Sequence, residues 1–174
     1  MRLVELVINE IEARRFDDVS TRWELMPQEG LTRFECYGPL MSLFVAWQRA
    51  RGDDPIPSTH RFDTMSALRD KRAGVRIVHF LRDGVRMVTP GAIYIDWTAA
   101  IENDSERSWL ESDLYTVKEY MRPAYHHIDQ MVAGRARQRY SRLLLPVGDE
   151  CGGVAEIVVA ENFDLMPFVV PRVG

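Results

Sequence analysis

The segment that most limits what this chain can become is "RLLLPVGDECGGVAEIVVAEN", residues 142–162. Two apolar runs flank an Asp- and Gly-rich turn. "LLLP" is apolar throughout, as expected of a central strand covered on both faces. "VAEIVVAEN" is likewise mostly apolar and β-branched, the composition that suits a packed strand. Together with "PAYHHIDQM" upstream, the last third of the chain reads as three antiparallel strands. They span 122–131, 138–146 and 153–162, joined by "VAGRA" and "GDECGG", whose Gly and Asp content supports tight connections.

A two-residue period also marks the middle of the chain. "VRIVHFL" places Val75, Ile77, His79 and Leu81 on one face, "RDG" turns it, and "VRMVT" continues. Pro90-Gly91 interrupts that strand, and "GAIYIDWTAA" is either its extension or a separate short element. Helical spacing appears in three places. In "PLMSLFVAWQRARG", Leu40, Leu43, Phe44 and Trp47 follow i, i+3, i+4, i+7, with Pro39 suited to the first turn and Gly52 to the stop. Over 105–118, Leu110, Leu114, Val117 and Met121 form an inner stripe. Ser108 and Glu111 stand there at capping-box spacing, and the preceding acids suit an earlier start. Over 2–14, Leu3, Leu6, Val7 and Ile11 share one face of a short amphipathic helix. Between them, "STRWELMP" and "LTRFECYG" read as a hairpin around "QEG".

The order is then helix, connector, two strands, helical crossover, three strands. Five antiparallel strands with helices gathered mid-chain make an α+β sheet with its helices on one face. The 39–51 helix is available as a lid for the other.

At 174 residues the chain suits one domain with a short appendage, and 46% apolar with 28% charged residues is globular usage. A net charge of −4 gives no electrostatic case for nucleic acid. The arginine-rich stretch "RARQRYSR" reads as a solvated hairpin. No apolar run approaches the roughly 20 residues of a membrane span, and the N-terminus has no signal-peptide cleavage pattern. Cys36 and Cys151 match no metal or redox spacing, so a cytoplasmic protein with two reduced thiols is expected.

Two stretches carry a resemblance. "FVAWQRARGDDPIPSTHRFD" resembles the N-terminal helix and Pro-containing connector of a bacterial PAS-domain family, often found as single-domain proteins. "YMRPAYHHIDQM…QRYSRLLLPVGDECGGVAEIVVAEN" looks like the family's last three strands. The likeness covers residues 38–162 and implies a PAS-like domain over 36–163. An extension of helix plus hairpin (1–35) would precede it and a tail (164–174) would follow. In one respect the chain departs from the family: "GAIYIDWTAAIEND" replaces the short motif that usually follows the second strand. The pocket-forming middle is therefore expected to be remodelled or closed.

The adjacent histidines can be weighed against this frame. On a strand, Tyr125, His127 and Asp129 share one face while Ala124, His126 and Ile128 share the other. His126 and His127 thus point apart and cannot chelate one ion, and His127 with Asp129 falls short of a zinc ligand set. Cys151 lies in a glycine-rich turn with no histidine adjacent in sequence and no G-x-S-x-G exists, so nucleophilic catalysis has no motif. "GDECGG" is followed by a strand and no Lys-Ser/Thr, so it is not a phosphate loop. His79, on the side of Ile77 and Leu81, reads as a hydrogen-bonded core histidine. No cofactor is identified, and the absence of Asn-Cys-Arg-Phe counts against flavin photochemistry.

The expectation is a PAS-like sensory or protein-interaction domain without catalytic output. A small apolar ligand would lie between sheet and crossover helices, where the resemblance places a cavity. Candidate lining residues are His79, Phe80, Met87, Tyr94, Trp97, Trp109, Tyr125 and His127. The expected partners are a signalling protein and a second copy, bound through the 2–14 helix. The alternative is a small α+β isomerase or hydrolase using His127 and Asp129 as an acid/base pair.

Overall fold

Alternating and wholly apolar segments join into one antiparallel sheet in this computed structural model. It describes residues 7–8, 12–13, 19–34, 38–70, 72–101, 104–130 and 138–163. In chain order the elements begin with β1 (Val7–Ile8), β2 (Glu12–Ala13), β3 (Val19–Leu25), α1 (Pro27–Phe34), α2 (Pro39–Arg51) and α3 (Thr64–Arg69). Next come β4 (Gly74–Leu81), β5 (Gly84–Thr89), β6 (Ala92–Tyr94), a 3₁₀ turn (Trp97–Ala100) and α4 (Asp104–Tyr120). The chain closes with β7 (Ala124–Gln130), β8 (Gln138–Gly148) and β9 (Val154–Asn162). The strand order is β1-β3-β7-β8-β9-β4-β5-β6, with β2 also on β3.

The last strand, β9, lies between β8 and β4, so the crossover from β5 to β7 has to pass over the sheet, and α4 lies across it. The position of β8 and β9 follows from their composition: Leu143, Leu144, Leu145, Ile157, Val158 and Val159 have no exposed surface. Opposed residues of an antiparallel ladder share a face, so the register sorts the sheet into two surfaces. Arg76, Val78 and Phe80 of β4 lie with Met87, His126, Arg142, Leu144 and Glu161 on the first. This surface meets α4, whose Leu110, Leu114 and Val117 are buried. The Lys118 amino group stands 4.3 Å from the centre of the Phe80 ring. Ile77, His79, Tyr125, His127, Leu143 and Val158 lie on the second surface, with α1 to α3 against it. There Phe34 stacks on His127 at 5.3 Å.

Helix α2 runs between the boundaries its punctuation implies. Pro39 occupies the first turn, where no amide donor is needed, and Gly52 ends the helix at φ +59°, its N–H donating to the Gln48 carbonyl. The Trp47 Nε1–H donates to the Pro146 carbonyl at 2.8 Å, fixing α2 to β8. The following connector is tied to the end of the same strand. Gly148 N–H donates to the Pro57 carbonyl at 2.8 Å, and Thr59 N–H donates to the Gly148 carbonyl at 3.0 Å.

Four expectations are corrected. The sheet has more than five strands, because β3 extends it beyond β7 and β6 beyond β5. Helices cover both faces: α2 is the lid expected of residues 39–51, and α1 and α3 join it, because β8 and β9 direct apolar side chains both ways. Residues 27–34 are helical rather than one arm of a hairpin. Pro27 opens this helix as a first-turn residue, Glu29 suits its positive end, and Pro27, Gly30 and Leu31 are buried. The amphipathic helix over 2–14 is not found where the chain is described. Val7–Ile8 and Glu12–Ala13 pair with β3 instead. At Val7 and Ile8 the branching that suits a strand competes with the helical period, and β3 offers a ladder to join. Leu3, Leu6 and Ile11 lie outside the described residues, as does the tail 164–174.

Two substitutions test this packing. Trp47→Ala is expected to cost about 3–5 kcal/mol in urea unfolding, through lost burial and the loss of its bond to Pro146. In Gly30→Ala the new Cβ would clash with Cδ1 and Cε1 at the edge of the Tyr125 ring, so a loss of about 1–3 kcal/mol is expected by the same measurement.

Candidate functional site

Charged side chains, rarely buried without partners, collect between α4 and the sheet. Arg142 on β8 has no exposed surface. Its Nε donates to Glu161 Oε1 at 2.8 Å, and its Nη2 donates to Glu106 Oε1 and to the Tyr140 hydroxyl, both at 3.1 Å. Arg76 on β4 reaches the same Glu161 oxygen at 2.6 Å. Two guanidiniums therefore face two carboxylates, and α4 contributes one of the four through Glu106. Burial by itself would pull the Arg142 guanidinium down, but Glu161, Tyr140 and Glu106 outweigh it and hold its pKa above the ordinary value. Glu161 is held below the usual carboxylate range, because Arg142 and Arg76 more than offset its desolvation.

A second group lies along α4 toward β3 and β7. Arg22 Nη1 donates to Asp113 Oδ1 at 2.6 Å, and His126 Nε2 stands 3.7 Å from that oxygen. Glu24 Oε2 is 4.0 Å from the same imidazole nitrogen. The Arg22 guanidinium lies 5.8 Å from the centre of the Trp109 ring. Desolvation pushes the Asp113 carboxyl up to about 6 despite Arg22 and Arg142. Burial, with the same two arginines, drives His126 well below its ordinary value, so its imidazole is neutral.

The other histidine points to the opposite face, as strand alternation requires. His127 lies between Phe34 and Trp23, with Nδ1 3.3 Å from Ser141 Oγ. Ser141 Oγ is also 2.7 Å from the Tyr125 hydroxyl. Burial lowers His127 to about 4, with Asp129 opposing the shift. Asp129 accepts from Arg139 Nε at 3.0 Å. His79 is the hydrogen-bonded histidine expected from its phase, 3.0 Å from Glu156. That contact is the chief reason the Glu156 carboxyl lies below its ordinary range.

The eight candidate lining residues do not converge. Phe80, Met87 and Tyr94 face α4, with Met87 fully buried, while Trp109 stands on α4 and Trp97 opens the 3₁₀ turn. His79, Tyr125 and His127 occupy the other face. None of the eight lines the groove of about 1460 Å³ at the start of β4 and the β5–β6 edge. Its apolar wall is Met65, Leu68, Val75, Val88 and Ile93, and Arg76 and Glu161 also border it.

The buried charges were not legible as a site. The arginine-rich stretch read as a solvated hairpin contains Arg142, the largest of the fully buried side chains described. The available signal was phase: Arg142 alternates with Tyr140 and Leu144 on a strand covered on both sides, and Glu161 stands in step with Ile157 and Val159.

Among the described residues, no group of three or more metal-binding side chains comes together, and no helix is long and apolar enough to cross a membrane. No family model, curated protein or solved structure matches the chain.

Arg142→Met would leave two buried carboxylates facing one guanidinium, and a loss of about 3–5 kcal/mol is expected in chemical denaturation. For His127, the folded pKa of about 4 lies below the ordinary 6.5. Its stabilising contribution is therefore full above pH 6.5 and is lost as pH falls toward 4. The stability of wild type minus that of His127→Phe should fall by roughly 3 kcal/mol over that interval, measured by urea unfolding at each pH.

Proposed function

We propose that the chain is a PAS-like sensory or protein-interaction domain without catalytic output, acting in signal transduction. The observation that carries this reading is the arrangement of its second half. A helix and a Pro-containing connector lead to two strands, a helical crossover and three more strands, and those five strands lie side by side in one antiparallel sheet. This is the order expected from the resemblance in residues 38–162. The added strands β3 and β6 extend that unit without interrupting it.

An apolar ligand has better support in the groove beside β4–β6 than beneath α4, where charged side chains fill the interface. A protein contact has support from the same side of the molecule. Ile93 of β6, the last strand in the order, is 65% exposed, and Ile95 just after it is 84% exposed. An apolar terminal strand favours pairing with another chain. We read the partner as a second copy or a signalling protein in the cytoplasm, and we do not retain the 2–14 helix as the dimer handle. A ligand in the groove would act by favouring one arrangement of sheet and flanking helix, which a partner reads.

The enzymatic alternative has less in its favour. His127 is enclosed by Phe34 and Trp23, and Asp129 is engaged by Arg139, so neither is presented to a substrate.

Native mass spectrometry of the purified chain at tens of micromolar tests the reading. A dimer, converted to monomer by Ile93→Lys with Ile95→Lys, is the expected result, with any ligand retained as a discrete mass increment. A ligand-free monomer would contradict it.

A further inference from the structure

We propose that Asp113, enclosed by Arg22 and His126, is a proton-operated latch that governs how tightly α4 docks on strands β3 and β7. The geometry supplies three supports. The Asp113 carboxyl is carried by α4, and the groups facing it come from three strands: Arg22 and Glu24 from β3, His126 from β7 and Arg142 from β8. It is 6% exposed and His126 is 1% exposed, so the carboxylate cannot be solvated while α4 is docked. Its second oxygen, Oδ2, and His126 Nδ1 are buried with no hydrogen-bond partner among the described residues. Arg22 and Arg142 are already protonated, and burial disfavours a charged imidazole at His126, so within this group the Asp113 carboxyl is the favoured place for an added proton.

The direction follows from linkage. With α4 docked, Asp113 titrates near 6, whereas a solvated aspartate titrates near 3.8. A proton therefore binds the docked arrangement more tightly than one in which the carboxyl reaches water, and it shifts the population toward docking. As pH rises through 6 the carboxyl ionises, and its desolvation favours lifting α4 from β3 and β7. Between pH 4.5 and 7.5 the docking equilibrium should weaken by about 30-fold. The other histidines do not duplicate this. His79 and His127 are on the opposite face of the sheet, and His60 is an exposed side chain paired with Glu150.

Two measurements on the full chain test the latch. The first follows the ¹³C resonance of the Asp113 carboxyl through a pH titration. A midpoint near 6 is expected, moving higher in Arg22→Gln because that arginine favours the ionised form. A midpoint below about 4.5, or one that Arg22→Gln leaves in place, would overturn the proposal. The second is hydrogen exchange of amides in residues 110–117 and 22–25, corrected for intrinsic rates. Opening should increase about 30-fold from pH 4.5 to 7.5 in wild type and show no such change in Asp113→Asn. An unchanged pH dependence in Asp113→Asn would overturn it. Should Asp113→Asn fail to fold, the titrations of wild type and Arg22→Gln decide alone.

Discussion

One guanidinium without solvent contact determines how the upper layer of this molecule is built. Arg142 stands on a strand just before three consecutive leucines, and its charge is acceptable there only because Glu161, Glu106 and Tyr140 meet it within 3.1 Å. Two of those partners come from the sheet and one from α4. The helix is therefore fastened by ionic contacts as well as by Leu110, Leu114 and Val117. An apolar stripe alone tolerates sliding by a turn, whereas an ion pair of this kind fixes the register. Burial and pairing nearly cancel in energy for such groups, so their main consequence is the position they impose.

The two surfaces of the sheet are built on different physical terms. Beneath α1 to α3 aromatic and aliphatic contacts predominate, with Phe34 on His127, Trp47 on β8 and the Tyr125 ring against Gly30, and the pairs Asp129–Arg139 and His79–Glu156 stand beside them. Beneath α4 a charged layer runs from Arg22 to Arg76. In the charged layer, burial pushes the Asp113 carboxyl, carried by α4, up to about 6. The proposed latch acts on this one element, a helix lying across the sheet and carrying the titrating carboxyl. The apolar groove beside β4–β6 adjoins the end of the charged layer, where Arg76 and Glu161 border it.

Much of this was legible in the residues because local chemistry and tertiary context agree. Pro39 and Gly52 bound α2 correctly, since the first needs no amide donor and the second adopts a left-handed turn. The apolar runs at 143–147 and 157–160 identified strands enclosed on both sides, and alternation correctly sent His126 and His127 to opposite faces. Errors arose where two periods competed or where partners were remote in sequence. Val7 fits a helical stripe with Leu3, Leu6 and Ile11 and, beside Ile8, also a strand, and pairing with β3 decided between them. "PQEGLTRF" holds turn residues that also begin a helix, and the sheet surface it covers decided that case. Arg142 was misread because its partners lie 19 residues after it and 36 before it, a distance over which sequence phase gives no pairing.

Charged side chains fasten α4 to the sheet, and a double-mutant cycle between Glu106 and Arg142 measures that attachment. Urea unfolding of wild type, Glu106→Gln, Arg142→Met and the double variant gives the coupling between helix and strand with each group's own burial removed. The account predicts a favourable coupling of about 1–3 kcal/mol. Additive losses, with coupling near zero, would mean that α4 is held by its apolar stripe alone and that the charged layer does not fasten it.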